Sequence, residues 1–139
     1  MGRFLAILIM VLFTTCTTKI SKENIGLLQG YWEIKKVTLS DGVIKEYKAN
    51  TTIDYIEISG SKGFRKKLNP KLDGSYVTTD DAALFTLKER EKIFIMHYKN
   101  DLSEWEEQIL TLSQDSFSVL NQEGTTYFYE RYEPINTSR

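Results

Sequence analysis

The 139-residue sequence has one histidine and one cysteine. A metal site, or a nucleophile paired with histidine, would therefore have to be built around His97, which stands in the apolar run KIFIMHYK. A lone histidine in such a run is most often a structural residue of a strand. The sequence predicts no metal site, no cofactor and no catalytic residues, and we expect a protein that is not an enzyme.

Three carboxylates stand close together in the segment SEWEEQILTL. Glu104, Glu106 and Glu107 could suggest the paired acids of glycoside cleavage. On a β-strand, however, Glu104 and Glu106 share one face and Glu107 lies on the other. We interpret these residues as charges beside a turn that meet water, not as a catalytic pair.

Cys16 follows the apolar run FLAILIMVLFTT, which begins after Arg3. The run is too short for a membrane-spanning helix, which needs about 20 residues, and is typical of a secretory signal peptide. A cysteine at its end resembles the lipobox of bacterial lipoproteins of the Bacteroidetes type. The resemblance implies a cleaved signal peptide over residues 1–15 and a lipid anchor on Cys16. The alternative is an ordinary signal peptide that happens to contain a cysteine.

The net charge of the chain and its polar segments limit where the protein can be located and which partners it can bind. With 18 basic and 19 acidic residues, the chain lacks the positive charge on which nucleic-acid binding depends. Residues 16–26 are polar and are predicted to form a lipidated tether, and residues 134–139 a flexible tail. The tether lacks the acidic cluster that resembles a surface-export signal in such lipoproteins. We therefore expect a protein of the bacterial cell envelope, anchored in the outer membrane and facing the periplasm.

Between the tether and the tail, residues 27–133 are predicted to form one all-β domain. Short segments rich in aromatic and β-branched residues alternate with turn signals such as Asp41-Gly42 and Asp73-Gly74. The predicted strands are 31–39, 43–48, 51–59, 64–68, 75–79, 83–88, 92–99, 103–112, 116–121 and 125–133. About 8–10 short strands at this spacing predict an antiparallel up-and-down β-barrel, because closure removes exposed edges. A short helix over residues 22–28 would suit a lid on one end.

Gly30 and Trp32 form a G-x-W motif at the start of the first strand, and Arg131 stands near the end of the last. Together they resemble lipocalins, in particular the lipocalin-like domains of Bacteroidetes lipoproteins. The resemblance implies that Trp32 lies at the closed end of the barrel and that Arg131 packs across it. The physical argument agrees, since a guanidinium over an indole contributes a cation–π term of about 0.5–2 kcal/mol. The alternative makes Trp32 plain core and Arg131 a solvated residue.

Side chains alternate in and out along a barrel strand, so phase identifies candidates for the interior. If Arg131 faces inward, Tyr127 and Tyr129 do so too. Trp105 shares a phase with Glu107. The strand over residues 92–99 is apolar on both phases, so the phase that contains Tyr98 and the phase that contains His97 both remain candidates for the inside.

Tyr98, Trp105, Tyr127 and Tyr129 are the candidate ligand-binding residues. Their rings suit a small hydrophobic or amphipathic molecule fixed by a few hydroxyl groups. The alternative is that the aromatic rings fill the barrel, which would then hold no ligand and serve as a non-catalytic interaction or inhibitor module with an envelope protein partner.

A cluster of basic residues surrounds one predicted hairpin: Lys62, Arg65, Lys66, Lys67 and Lys71. The cluster could contact anionic headgroups or an acidic partner. We favour a solvated edge whose lysines discourage pairing with another strand.

Overall fold

The computed structural model describes residues 20–48, 50–78 and 81–133. The predicted signal peptide, the lipidation site Cys16 and the predicted tail over residues 134–139 lie outside these residues. The described residues form a 3-10 turn, Ile25–Leu28, and ten strands. The strands are β1 (Gly30–Thr38), β2 (Ile44–Glu46), β3 (Ile53–Ser59), β4 (Lys62–Pro70), β5 (Tyr76–Thr78), β6 (Ala83–Arg90), β7 (Ile93–Lys99), β8 (Glu104–Leu112), β9 (Ser116–Asn121) and β10 (Thr126–Arg131).

Eight of the strands close into an antiparallel barrel. The ring runs β1-β3-β4-β6-β7-β8-β9-β10, and β10 returns to β1 with Trp32 opposite Arg131. The short strands β2 and β5 pair only with β1 and β4, outside the ring. The all-β antiparallel barrel predicted from the sequence is confirmed, and closure pairs every strand of the ring on both sides.

Most predicted strand limits agree with the structure within two residues, and the differences lie at turns. The predicted turn over residues 60–63 is shorter in the structure, because β4 already begins at Lys62. The predicted turn over residues 89–91 lies instead at Glu91 and Lys92, between the paired residues Arg90 and Ile93. Both turn residues have positive φ, 51° and 69°, which a two-residue loop of this kind requires even without glycine or asparagine.

Replacing Glu91 by Asn and Lys92 by Gly should stabilise the fold. The left-handed backbone is costly for ordinary residues, so the double variant is expected to gain about 1 kcal/mol in the free energy of unfolding. Urea denaturation followed by circular dichroism measures this gain. Lys99→Gly, at the end of β7 and without positive φ, is the control and should destabilise. A double variant that is no more stable than the parent would contradict the turn assignment.

The 3-10 turn covers one end of the barrel, which we call the closed end. Ile25 and Leu28 of this turn are 7% and 0% exposed and belong to the same core cluster as Trp32. Ile20 packs against that cluster as well. The predicted tether therefore does not extend to residue 26, because its isoleucines cover apolar side chains at the barrel end. None of the helices described is long and apolar enough to cross a membrane.

Gly63 makes room for a core ring. A Cβ at this position would overlap the Phe85 ring and the carbonyl oxygen of Glu57, so β4 approaches its neighbours more closely here than alanine allows. Gly63→Ala should therefore destabilise the fold by about 1–3 kcal/mol, the usual range for overpacking. Gly26→Ala is the matched control, because a Cβ there meets nothing within 4 Å. Equal stability of the two variants in urea would contradict this packing.

Candidate functional site: the open end of the barrel

Trp32 and Arg131 meet at the closed end, on neighbouring strands. The guanidinium carbon of Arg131 lies 3.9 Å from the centroid of the fully buried Trp32 ring, and the indole N–H donates to the Leu28 carbonyl oxygen at 2.7 Å. Gly30 has φ 129°, and a Cβ at this position would overlap Nη1 of Arg131. The three residues predicted to close the barrel thus lie in direct contact.

Arg131 also binds the loops that meet at this end. Its Nε and Nη2 donate to the Gln114 carbonyl oxygen at 2.9 and 2.8 Å. Nη1 donates to the Gln29 carbonyl oxygen at 2.7 Å, and Nη2 donates to that of Leu27 at 2.9 Å. One side chain therefore ties β10, the β8–β9 turn and the 3-10 turn together at the closed end.

The inner phase of β7, left open by the sequence, is the one that contains Phe94, Met96 and Tyr98. These residues are 5%, 0% and 1% exposed. His97 lies on the outer face, where its Nε2 contacts the carboxylate of Glu104. Within the described residues there is no group of three or more histidine, cysteine or acidic side chains placed to hold a metal ion.

At the opposite end, the barrel opens onto a cavity that we call the mouth recess. It has a volume of about 280 Å³, and the residues that form its wall and floor are Arg65, Tyr98, Trp105, Glu107, Tyr127 and Tyr129. Lys67, Ala83 and Asn121 complete its lining. A side lobe of about 350 Å³ adjoins it and shares Lys67, Tyr127 and Tyr129.

The side lobe exists because β1 and β3 separate. They pair only over Gly30–Trp32 and Asp54–Ile56, after which β1 pairs with β2 instead. The Asn50 side chain bridges the gap, and its Nδ2 donates to the Ile34 carbonyl oxygen at 2.7 Å. The mouth recess is therefore reached from the end of the barrel and from its side.

All four candidate ligand-binding residues line the mouth recess. The Tyr98 and Trp105 rings stack at a centroid distance of 5.1 Å and 5° between planes. Tyr129 stacks on Phe117 at 4.7 Å, beneath the recess. Tyr98 and Tyr129 are buried, whereas Trp105 and Tyr127 are half-buried. The last two rings are consequently the aromatic surfaces most accessible to a bound molecule.

A set of four charged side chains, which we call the floor charges, lies beside these rings, and one of them, Lys67, reaches the rim: Asp54, Arg65, Lys67 and Glu107. Nη2 of Arg65 donates to Oδ2 of Asp54 at 2.8 Å, and Nζ of Lys67 donates to the other oxygen at 3.1 Å. Nη1 of Arg65 lies 3.7 Å from Oε1 of Glu107. Arg65 also lies over the Tyr129 ring, with its guanidinium carbon 4.9 Å from the centroid.

Burial and charge set the pKa values in this region. Burial opposes the charge of Asp54, but the positive charges and hydrogen bonds of Arg65 and Lys67 prevail and hold its pKa below the ordinary value. Burial raises the pKa of Tyr98 and of Tyr129, and nearby Arg65 opposes this only in part. Both phenols are therefore neutral hydroxyl groups at physiological pH, while Asp54 is charged.

The interpretation of the basic cluster as a solvated edge is wrong for Arg65. Its side chain is only 12% exposed and faces into the barrel, because its strand partner Ile56 lies on the inner phase of β3. Lys67 has the same phase and reaches the rim, whereas Lys66 lies on the outer face above Phe64. The alternation of side chains along β4 could have indicated that Arg65 shares the inward face of Gly63. The carboxylates that pair with Arg65 lie on other strands, however, so the sequence of β4 alone does not reveal them.

A closed eight-stranded antiparallel barrel, covered at one end by a 3-10 turn and open at the other onto a recess, is of the size whose interior is either filled by side chains or holds one small ligand. A family model for the lipocalin-like domain matches residues 28–119, more than half of the chain. The chain belongs to this lipocalin-like family.

Solved structures give likenesses of fold. A lipocalin-like protein from Bacteroides uniformis aligns with a TM-score of 0.48 and 13% identity, over 77% of this chain and 100% of that chain. Lobster apocrustacyanin A1 aligns with a TM-score of 0.49 and 13% identity, over 84% of this chain and 67% of that chain. Apocrustacyanin C1 aligns with a TM-score of 0.48 and 12% identity, over 83% of this chain and 66% of that chain. The search of curated proteins found no match.

Proposed function

We propose that this protein is a lipid-anchored bacterial envelope protein that binds a small amphipathic molecule in the mouth recess and catalyses no reaction. The observation that carries the proposal is the recess itself, whose lining combines aromatic rings with charged groups. Apolar walls with a few placed polar groups are the usual composition of a small-molecule site.

The interior is filled only in part. Near the closed end, Trp32, Met96, Phe117 and Val119 are at most 1% exposed. A pocket of about 370 Å³ beside Ile25, Leu87 and Phe94 also lies at this end. Towards the mouth, the packing gives way to the recess and its side lobe. The aromatic and charged lining of the recess supports a ligand-binding barrel over the alternative of a solid interaction module.

The proposed anchor would orient the barrel. Cys16 precedes Ile20 by four residues, which can span at most about 14 Å. Ile20 packs against the core cluster to which the closed-end residues belong. A lipid on Cys16 would therefore hold the closed end near the bilayer and leave the mouth recess open to the periplasm.

Ligand binding is tested with a variant that fills the recess. Ala83 lines the recess, while its neighbour Leu84 is 62% exposed on the outer face. In native mass spectrometry of protein purified from the producing bacterium, the parent and Leu84→Trp should carry the same small-molecule adduct. Ala83→Trp should lose it. An adduct that survives in Ala83→Trp, or no adduct on the parent, would reject the proposal.

The anchor is tested separately with Cys16→Ala. We expect the parent in the membrane fraction with a lipid-modified residue 16 at its N-terminus, and the variant released as soluble protein. Parent protein whose N-terminal peptide carries no lipid would reject the anchor and leave the binding proposal untouched.

A further inference from the structure

Glu107 is the floor charge with the weakest partner. Its side chain is 13% exposed, and its one ion pair within the described part of the chain is the 3.7 Å contact to Nη1 of Arg65. That distance is longer than a hydrogen bond. Asp54, by contrast, receives two hydrogen bonds on its two carboxylate oxygens.

Nη1 of Arg65 likewise makes only a weak hydrogen bond within the described residues. Its hydrogen bond is the 3.5 Å contact to the Tyr98 hydroxyl, at the limit of hydrogen-bond distance. Arg65 and Glu107 both line the mouth recess. The recess therefore presents a donor and an acceptor side by side, and a half-buried polar pair of this kind gains from a partner that forms hydrogen bonds with both members.

The floor charges also balance. Arg65 and Lys67 contribute two positive charges, and Asp54 and Glu107 two negative charges. Within the described residues, these four groups offer a ligand with a net charge no surplus of opposite charge, although such a ligand must still lose its hydration. A neutral polar group avoids that penalty.

Building on the proposed function, we propose that the ligand of the mouth recess has a neutral head group with a hydrogen-bond donor and an acceptor within one or two atoms, such as a carboxamide, a lactam or a hydroxyl. This group donates to the Glu107 carboxylate and accepts from Nη1 of Arg65. The apolar body of the ligand lies against the exposed faces of Trp105 and Tyr127.

The test uses three probes with the same aromatic body and different head groups. Indole-3-acetamide is neutral, indole-3-acetate is an anion and tryptamine is a cation at pH 7. Isothermal titration calorimetry on the folded protein should show that the parent binds the acetamide at least tenfold more tightly than either charged probe.

Two variants shift the balance of charge in opposite directions. Glu107→Gln removes one negative charge, so it should weaken acetamide binding about tenfold and make acetate the preferred probe. Lys67→Gln removes one positive charge and should make tryptamine the preferred probe. Glu106→Gln, on the outer face of the same strand beside Arg90, is the control and should leave all three affinities unchanged.

Three results would overturn the inference. A parent that prefers acetate or tryptamine contradicts the neutral head group while leaving small-molecule binding intact. A Glu107→Gln variant that binds like Glu106→Gln removes Glu107 from the site. A parent that binds none of the probes rejects this head-group chemistry, whereas the proposed function is judged by the adduct comparison of Ala83→Trp with Leu84→Trp.

Discussion

Arg65→Met is expected to destabilise the protein by about 3–5 kcal/mol, the usual result of removing one partner from a buried ion pair. The guanidinium faces the buried carboxylate of Asp54 at 2.8 Å and the half-buried carboxylate of Glu107 at 3.7 Å. Without it, Glu107 loses its ion pair and Asp54 retains Lys67, whose side chain is 69% exposed. Urea denaturation followed by circular dichroism measures the loss.

The adjacent Lys66→Met is the matched control for this experiment. Lys66 carries the same charge on the same strand but lies on the outer face, so its replacement should change the free energy of unfolding by no more than about 0.5 kcal/mol. The triple variant Arg65→Met, Asp54→Asn, Glu107→Gln should recover part of the loss, because no unpaired carboxylate remains. Equal effects of Arg65→Met and Lys66→Met would contradict the buried position of Arg65.

The stability that Arg65→Met loses should also depend on pH. In the parent the pKa of Asp54 is lowered, so its contribution to stability is present above the unfolded value of about 3.9 and is lost as the pH falls through and below that value. Without Arg65, only Lys67 still opposes the effect of burial on the pKa of Asp54, so protonation of Asp54 costs the variant less than it costs the parent. The stability difference between parent and Arg65→Met should therefore narrow as the pH falls through and below about 4. A constant difference would contradict this account.

Arg131→Ala is expected to destabilise the barrel by about 2–4 kcal/mol, the second large effect. The variant loses the contact with the Trp32 ring at 3.9 Å and charge-assisted hydrogen bonds to three carbonyl oxygens, those of Leu27, Gln29 and Gln114. Water can replace the exposed bonds to Gln29 and Gln114, but not the contact with the buried Trp32 ring or, in full, the part-buried bond to Leu27. Thermal and urea unfolding both measure this loss.

Two further variants show whether geometry or charge explains the effect. Arg131→Lys keeps the charge but cannot reach three carbonyl groups from one planar head, so it should recover less than half of the loss. Glu130→Ala, exposed on the same strand, should change stability by no more than about 0.5 kcal/mol. Full recovery by lysine would show that charge alone, and not the guanidinium geometry, stabilises the closed end.

Local sequence rules were sufficient to predict the strands and some of the residues that line the recess. Strand limits follow from the period-2 pattern and from turn residues such as Asp41-Gly42, because both act over a few neighbouring residues. The inward phase of Tyr127 and Tyr129 followed from one assumption about Arg131. The turn at Glu91 and Lys92 was placed wrongly, because it lacks the glycine or asparagine that usually marks positive φ.

The sequence by itself determined an all-β barrel, the order of its strands along the chain, and Trp105, Tyr127 and Tyr129 as candidates for its interior. Only the tertiary structure decided that Tyr98 and not His97 faces inward, since both phases of β7 are apolar enough for a core. It also decided that Arg65 lies inside the barrel. A charge is tolerated there only when neighbouring strands bring Asp54 and Glu107 to it, and that pairing depends on contacts between residues far apart in the chain.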